Sequence, residues 1–466
     1  MNKLNSIITR VPPLRKKLQY QFLLLILFCL MLVLILSNNT TLFHSDQPHK
    51  EMHCFPQEYI IFIKVHKAGS TTVMNILQTF GLKRKLNFIL PKENNYLSHE
   101  KWSYPSYNKT FNSRILMPPN NEAVHILCNH IVYSYKVFNA ILSGRHLAKK
   151  RTSQFRKIIQ GGYGESDSLQ QLSAHIYDFN PFQKDGTKYY SSDKSSCDQN
   201  FDKARNHKKL FHERKSNLSE RNDYFYFTIL REPLQQVISA VFYYDMFPKV
   251  AYNKLMKKIL SNPNPYSQNR MSFDLGLDSK DFYNVTSIDQ FITDIDRDFD
   301  LILLMEYFDE SMILLRRWLC WDMSDIMYIK KNSGYSKTFV TINYEQRQFF
   351  RYNYSLADSR LYEYFYKKFW CKVIEEGPKF WDEVLHFKSI QKTISNYCFS
   401  LPRNFTKLAF HFSTSVKKSL DDVEILEIPS SKWNSHFIVN ATTCAYMMET
   451  ELSMISHIRK WEYGFS

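Results

Sequence analysis

The segment at residues 59–81 constrains the fold of this chain more than any other. Four apolar residues at positions 60–63 predict a buried strand, a polar turn follows at residues 64–72, and apolar residues then recur with helical spacing until Gly81, where we expect the helix to stop. A strand, a small-residue turn and a helix N-terminus form an anion cradle, because free backbone N–H groups and the helix dipole point at the turn. The turn lacks the spacing of a Walker A loop, so we expect phosphate binding without Mg²⁺-dependent transfer.

A second strand, turn and helix follows later in the chain. An aromatic and β-branched strand predicted at residues 224–230 ends at Arg231, and the helix predicted at residues 234–244 carries Ser239. An arginine fork with a hydroxyl group suits a terminal phosphate monoester. The chain therefore offers a candidate phosphate cradle at each of the two turns.

Both turns resemble a known family. The segment Lys64-Val-His-Lys-Ala-Gly-Ser-Thr-Thr72 resembles the 5′-phosphosulfate loop of Golgi sulfotransferases, specifically the galactose 3-O-sulfotransferase family, and Arg231 with Ser239 resembles the 3′-phosphate element. The resemblance covers residues 58–140 and 224–380. It includes three further segments, at residues 126–130, 273–278 and 299–332. Val132 departs from the family, which usually has arginine there, and this puts acceptor contacts near His130 in doubt.

The resemblance implies a sulfotransferase that uses 3′-phosphoadenylyl sulfate and no metal. The implied reaction transfers a sulfuryl group to the 3-hydroxyl of galactose on a galactosyl glycolipid such as galactosylceramide, with glycoprotein glycans as the alternative acceptor. The residues implied to contact the co-substrate are Lys64, Lys67, Ala68, Gly69, Ser70, Thr71, Thr72, Arg231 and Ser239.

In-line transfer at sulfur needs a base for the acceptor hydroxyl and a cation at the leaving phosphate oxygen. We assign the leaving group to Lys67 and a secondary phosphate contact to Lys64. A neutral histidine suits the base. His130 is the first candidate, because it follows the strand predicted at residues 123–128 and strand ends face the ligand cleft, and His66 is the second.

Two other functional classes remain as alternatives. Overlapping Asp-x-Asp triplets at residues 294–300 would suit a metal-dependent glycosyltransferase, although we interpret them as a polar turn before a strand. A catalytically inactive luminal binding protein is the other class, and the set formed by Lys67, His130, Arg231 and Ser239 argues against it. Three aromatic residues are candidates for stacking on adenine or a galactose face, namely Tyr243, Tyr244 and Trp321.

The order of predicted elements indicates an α/β fold. Strands at residues 60–63, 123–128, 224–230 and 299–305 alternate with helices, and further helices are expected at residues 310–320, 341–354 and 359–372. This alternation predicts a parallel sheet with ligands at the carboxyl ends of its strands, as in a P-loop-like nucleotide-binding sulfotransferase fold. Residues 58–466 form this domain. Within it, polar residues 145–222 predict a surface insertion, with a basic binding arm as the alternative.

The N-terminal segment predicts a membrane anchor. Basic residues between positions 10 and 17 precede an apolar run at residues 22–36 that contains no charge, and no small-x-small cleavage site follows. An uncleaved anchor is therefore favoured over a signal peptide. The flanking positive charge places residues 1–19 in the cytosol, the span at residues 20–36, and a stem at residues 37–57 in the lumen. We expect a single-pass type II protein of the Golgi membrane.

Composition fits this compartment. Glycosylation sequons begin at Asn38, Asn39, Asn108, Asn217, Asn284, Asn353, Asn404 and Asn440. Seven cysteines lie outside the anchor, so at least one is free or intermolecular, and their connectivity stays open. The formal net charge of +16 suits an anionic nucleotide or membrane surface, while a luminal location excludes nucleic acid. Homodimer formation is left open.

Overall fold

The computed structural model describes residues 55–98, 114–118, 122–142, 224–330, 340, 342–402 and 425–464. The chain divides into two compact units, Met1–Phe55 and Pro56–Ser466, and the described elements belong to the second. Within the described ranges no helix has the length and apolar character needed to cross a membrane. The anchor predicted at residues 20–36 and the insertion predicted at residues 145–222 both lie outside the described residues.

A six-stranded sheet lies at the centre of this unit. Its strands are β1 (Ile60–Ile63), β2 (Phe88–Pro91), β3 (Ile115–Leu116), β4 (Ile126–Leu127), β5 (Phe225–Leu230) and β6 (Leu301–Leu304). They lie in the order β3-β2-β4-β1-β5-β6, and all pairings are parallel except that of β3 with β2 at one edge. An antiparallel hairpin of β7 (Leu426–Ile428) and β8 (Phe437–Val439) lies apart from this sheet.

Helices cover the sheet and form the C-terminal part of the described chain. They are α1 (Ser70–Arg84), α2 (Tyr135–Leu142), α3 (Pro233–Tyr243), α4 (Tyr252–Leu260), α5 (Arg270–Asp274), α6 (Val285–Asp298), α7 (Phe308–Leu319), α8 (Tyr344–Phe349), α9 (Leu356–Glu375), α10 (Lys379–Ser400), α11 (Ala441–Met448) and α12 (Glu451–Tyr463). A π-helical turn, Phe350–Tyr354, connects α8 to α9.

The α/β class and the parallel sheet predicted from the sequence are confirmed. Strands β1, β5 and β6 are buried at every position, as expected for parallel strands covered on both faces. The predicted strands at 60–63, 123–128, 224–230 and 299–305 all contain an observed strand, although β4 is shorter than expected.

The predicted end of the first helix at Gly81 is wrong. Helix α1 continues through Gly81 to Arg84. A Cβ atom at Gly81 would collide with the side chains of Phe88 on β2 and Ile126 on β4. The glycine therefore permits close approach between helix and sheet, and it does not terminate the helix.

The sheet order places a ligand crevice at the end of β1. Strand β1 pairs with β4 on one side and β5 on the other. Strands β2 to β4, which follow β1 in sequence, lie on one side of it, and the later strands β5 and β6 lie on the opposite side. Open α/β sheets bind ligands at such a switch point, outside the carboxyl ends of the strands. The turn at residues 64–69 lies at this point.

Disulfides connect parts of the helical layer. Cys398 at the end of α10 is bonded to Cys444 in α11, and Cys320 and Cys371 are also disulfide-bonded. Cys128 is a free, buried thiol. This confirms that at least one of the seven cysteines outside the predicted anchor is not in an intramolecular disulfide.

Candidate active site

The turn between β1 and α1 has the backbone geometry of an anion cradle. Lys67 and Gly69 both have positive φ angles, of 59° and 75°. Gly69 caps α1, and a Cβ atom there would collide with the side chain of Met305 at the end of β6. The hydroxyl of Ser70 donates to the Val65 carbonyl at 2.6 Å, so it holds the turn together. The N–H groups at the start of α1 therefore open onto the crevice.

Lys67 lies at the mouth of this cradle. It is half-buried, and its ammonium group lies 3.4 Å from the centre of the Tyr243 ring. Burial, followed by the neighbouring charges of Arg231 and Lys64, lowers the pKa of Lys67 to about 8. Of the other predicted phosphate-contacting residues in this loop, Ala68 is buried, while Thr71 and Thr72 are partly exposed on the first turn of α1.

The second turn meets the first. Arg231 follows β5, which pairs with β1, and its Nη1 donates to the Lys67 carbonyl at 3.1 Å. Gln236 on α3 donates to the His66 carbonyl at 3.2 Å, and Ser239 lies three residues further on, on the same helix face. Two sequence elements about 160 residues apart thus form one basic crevice.

His66 forms a dyad with Asp274. The ring Nδ1 lies 2.7 Å from Oδ2 of Asp274, and the His66 backbone N–H donates to the same oxygen at 2.8 Å. Arg270 pairs with the other carboxylate oxygen at 2.8 Å. Nδ1 also lies 3.2 Å from Nε of Arg270, and the other ring nitrogen, Nε2, faces the Tyr96 hydroxyl at 3.0 Å.

The dyad is buried, and its charges compensate one another. Burial lowers the pKa of His66, although Asp274 opposes this shift. Burial alone would raise the pKa of Asp274, but His66 and Arg270 outweigh it and the pKa is lowered. Asp274 therefore stays ionised and orients a neutral imidazole.

His130 lies in the same cluster but has both ring nitrogens engaged. Its Nδ1 lies 3.1 Å from the Lys64 carbonyl, and its Nε2 lies 2.9 Å from Lys64 Nζ. Its ring stacks on His66 with centroids 4.1 Å apart. Burial, and then Lys64, His66 and Arg270, hold the pKa of His130 well below its usual value. His130 is thus a neutral group enclosed between Lys64 and His66.

Lys64 is also enclosed by protein atoms. It is 2% exposed, and its ammonium lies 2.7 and 2.8 Å from the two carboxylate oxygens of Glu451, besides the contact with His130. With three acceptor atoms at close range, its N–H groups are all directed at the protein. Lys64 therefore acts on the crevice through its charge.

Tyrosine rings form one side of the crevice beside His66. The ring centroids of Tyr244 and Tyr266 are 4.8 Å apart, Tyr266 lies 6.1 Å from the His66 ring, and Tyr96 stacks on His130 at 4.7 Å. Trp321, a predicted stacking residue, is 3% exposed and packs on Phe80 at 3.8 Å between ring centroids. The prediction is wrong for Trp321, whose indole belongs to the core.

The aspartates at residues 294–300 have structural contacts. Helix α6 extends through Asp298, so the predicted polar turn is helical over most of its length. Arg297 pairs with Asp294 and Asp298, Asp296 pairs with Lys368, and Asp298 accepts from Tyr133. Across the described ranges, no group of three or more His, Cys, Asp or Glu side chains is arranged to hold a metal ion.

Comparison with known proteins identifies the family of this chain. The sequence profile of a family described as Galactose-3-O-sulfotransferase matches residues 7–146 and 186–409. The chain belongs to this family. The unmatched residues 147–185 fall within the predicted insertion, and the match ends before the hairpin and helices α11 and α12.

Several known members of the galactose-3-O-sulfotransferase family are similar to this chain at low sequence identity. Galactosylceramide sulfotransferase of Mus musculus is 28% identical over 69% of this chain and 59% of its own length. Galactose-3-O-sulfotransferase 2 of Mus musculus is 23% identical over 76% of this chain and 73% of its own length, and that of Sus scrofa is 32% identical over 38% and 48%. The chain thus spans about three fifths of the galactosylceramide sulfotransferases. No solved structure shows a significant match.

Sequence reasoning missed four residues of this family member's crevice, Tyr96, Arg270, Asp274 and Glu451. Asp274 lies in the segment 273–278 that carried part of the resemblance, so a search for a carboxylate partner of His66 could have found it. Glu451 gave no local signal, because it lies 387 residues from Lys64. Val132 is 4% exposed, so this position fills the core beside the crevice and its side chain cannot replace an arginine contact to an acceptor.

Proposed function

We propose that this protein transfers the sulfuryl group of 3′-phosphoadenylyl sulfate to the 3-hydroxyl of a galactose residue on a galactosyl glycolipid such as galactosylceramide. The observation that carries the proposal is the junction of the two turns, where Arg231 donates to the carbonyl of Lys67. A ligand with phosphate groups at both ends needs a cation at each, and here a helix N-terminus with Lys67 and a guanidinium with Ser239 lie in one crevice.

The residues fit this co-substrate. Gly69 adopts a positive φ and lets the Met305 side chain pack against the cradle, and Lys67 carries the positive charge at its mouth. The Lys67 ammonium stabilises the charge that develops on the leaving phosphate oxygen when the S–O bond breaks. Arg231 and Ser239 hold the 3′-phosphate, and this pair distinguishes the co-substrate from nucleotides that lack that group.

We assign the base to His66 ahead of His130. When the galactose 3-oxygen attacks sulfur, its proton must pass to a nitrogen lone pair that faces the crevice. In this assignment the proton of His66 is on Nδ1 beside Asp274, so Nε2 has the lone pair; Nε2 now contacts the Tyr96 hydroxyl, which the acceptor hydroxyl would replace. Nε2 of His130 already contacts Lys64. Asp274 then stabilises the imidazolium that forms, as a carboxylate does in a nucleophile–histidine–aspartate triad.

The tyrosines beside His66 provide a surface for the acceptor sugar. Tyr266 is 36% exposed and lies between Tyr244 and the His66 ring. An aromatic face of this kind packs against the apolar side of a pyranose ring while leaving its hydroxyls free. Galactosylceramide is our first acceptor because relatives of this chain carry that name.

We also propose a type II location in the Golgi membrane. The support is the basic segment before the apolar run at residues 22–36 and the eight sequons that follow it. In this orientation the crevice faces the lumen, where galactosyl lipids and glycans are exposed.

One assay tests the proposed function. The full chain in detergent is incubated with ³⁵S-labelled co-substrate and a panel of galactosylceramide, galactosyl diacylglycerol and galactose-terminated glycans, and the sulfated position is located by mass spectrometry. We expect sulfate on the galactose 3-oxygen of the glycolipid. Sulfation of the glycans alone would show that the acceptor is a glycan and not a glycolipid. Binding of the co-substrate without turnover would indicate an inactive protein, and transfer that occurs only with a sugar nucleotide and Mn²⁺ would indicate a glycosyltransferase.

A further inference from the structure

The first residue of the C-terminal helix reaches into the candidate active site. Glu451 at the start of α12 accepts from Lys64 at 2.7 and 2.8 Å, from Asn95 at 2.7 Å and from the hydroxyl of Thr71 at 3.1 Å. The donors come from the end of β1, the loop after β2 and the first turn of α1. One carboxylate therefore connects three elements of the crevice.

The ammonium of Lys64 depends on this carboxylate. Lys64 is 2% exposed, and its remaining close contact is the neutral ring of His130. A buried cation is strongly disfavoured unless an anion or several acceptors replace its water. Lys64 lies beside the base and the cradle, so its charge and position both affect the crevice.

Helix α12 holds Glu451 in place through contacts elsewhere along its length. Arg459 donates to the Pro91 carbonyl at 2.7 Å, and Glu462 accepts from the Phe88 backbone N–H at 2.9 Å. Three apolar residues of the helix are buried, Met454, Ile455 and Ile458. Contacts with β2 and buried apolar residues thus dock the helix independently of Glu451, and they place Glu451 in the site.

We propose that Glu451 is a positioning residue of the transfer reaction, which holds Lys64 as an ammonium ion beside His130 and the cradle. Through Lys64 it directs His130 Nε2 toward Nζ, and through Thr71 it fixes the first turn of α1. The helix that carries Glu451 lies beyond the residues matched by the family profile, so a C-terminal element completes the site. The effect on catalysis rests on the proposed function, whereas the pairing itself does not.

Charged and titratable groups on every neighbouring element act on Lys64. Burial lowers the pKa of Lys64, while Glu451, the Cys128 thiol and Asp274 on α5 raise it. Lys67 and the two histidines of the cluster also lie within electrostatic range. Glu451 is the group that raises the pKa of Lys64 most. In Glu451→Gln this effect is lost, so the pKa of Lys64 falls further, and the ammonium loses its proton as pH rises through this lower value.

The catalytic test compares kcat/KM of Glu451→Gln with that of the wild type from pH 6 to pH 9. We expect the ratio to fall at least tenfold as pH rises, because the variant loses the Lys64 charge at a lower pH than the wild type does. Glu451→Asp should recover part of the activity at high pH. The matched control is Lys460→Gln, which removes an exposed charge from the same helix, with a ratio near one at every pH. A ratio near one for Glu451→Gln, or a loss independent of pH, would overturn the proposal.

A second test needs no activity. Thermal unfolding is measured for the wild type, Glu451→Gln, Lys64→Met and the double variant. In Glu451→Gln the folded pKa of Lys64 lies below its unfolded value of about 10.4, so stability rises with pH and the deficit in Tm shrinks between pH 6 and pH 9. The double variant should be more stable than Glu451→Gln at pH 6. If the change in Tm of the double variant equals the sum of the changes in the two single variants, the pairing is overturned. If the changes are not additive but the wild type is inactive, only the proposed function is overturned.

Discussion

At the scale of single residues, burial sets the charge of Lys67. Its pKa is lowered to about 8, so the ammonium loses its proton as pH rises through that value. We predict that kcat/KM of the wild type falls on the alkaline side with an apparent pKa near 8, because a neutral amine stabilises the leaving oxygen poorly. The pH dependence of kcat/KM measures it.

Two variants control this prediction. Lys67→Arg should remove the alkaline limb, because a guanidinium stays charged to about pH 12. Lys67→Ala should lose nearly all turnover with a modest loss of donor binding. If the alkaline limb of kcat/KM persists unchanged in Lys67→Arg, the limb reports the titration of another group.

The identity of the base is the second residue-scale prediction. His66 must be neutral to accept a proton, and burial lowers its pKa, so kcat/KM should fall on the acid side below the ordinary imidazole range. We predict that His66→Ala removes this limb and lowers kcat/KM by about 10²–10⁴-fold, the usual scale for a lost general base. Donor affinity, measured by calorimetry, should barely change.

His130→Ala provides the comparison. It should lose activity through the displaced Lys64 but keep the acid limb. Loss of the limb in His130→Ala, with retention in His66→Ala, would reverse the assignment.

At the scale of elements, the turn between β5 and α3 should select the 3′-phosphate. We predict that Arg231→Ala weakens binding of adenosine 3′,5′-bisphosphate by about 1.5–3 kcal/mol, the scale of a charged hydrogen bond, and leaves binding of adenosine 5′-phosphate almost unchanged. Calorimetry of both nucleotides measures the difference. Arg360→Ala, which removes a surface ion pair with Asp289, is the control. Equal wild-type affinity for the two nucleotides would argue against a 3′ site.

The packing of α1 on the sheet leads to another element-scale prediction. In Gly81→Ala the added methyl meets Phe88 and Ile126. We predict a loss of about 1–3 kcal/mol from overpacking, which exceeds the gain of about 1 kcal/mol in helix propensity. Denaturant unfolding measures it, with the exposed Ser389→Ala on α10 expected to change stability by less than about 0.5 kcal/mol. A more stable Gly81→Ala protein would show that the helix can move away from the sheet.

At the scale of the whole molecule, the proposed luminal orientation predicts glycosylation. Asn284, Asn353 and Asn440 begin sequons and have exposed side chains in the described structure. Asn284 and Asn440 cap helices through Oδ1, so a glycan on Nδ2 leaves both caps intact. Peptide-N-glycosidase treatment of the full chain from secretory cells should lower its mass, and Asn→Gln changes should remove the shift. An unglycosylated chain would contradict the orientation.

Much of the crevice could be predicted because its elements carry local signals. The run at residues 60–63, the small-residue turn and the spacing of Arg231 and Ser239 each follow from a few consecutive residues. Gly81 misled the prediction, because a glycine that permits close packing has the same local appearance as one that ends a helix. The sequence patterns predicted neither the hairpin nor the helices of residues 425–464, which pack on the rest of the domain and are tied to it by the Cys398–Cys444 disulfide.

The sequence by itself determined the class of fold, the two strand–turn–helix units and the family, because strand, turn and helix signals are short-range. Only the tertiary structure decided how the charged side chains are paired. Asp274 reaches His66 across 208 residues and Glu451 reaches Lys64 across 387. The ionisation of a buried base or lysine depends on which charges lie within a few ångströms of it, and the folded chain alone brings those charges together.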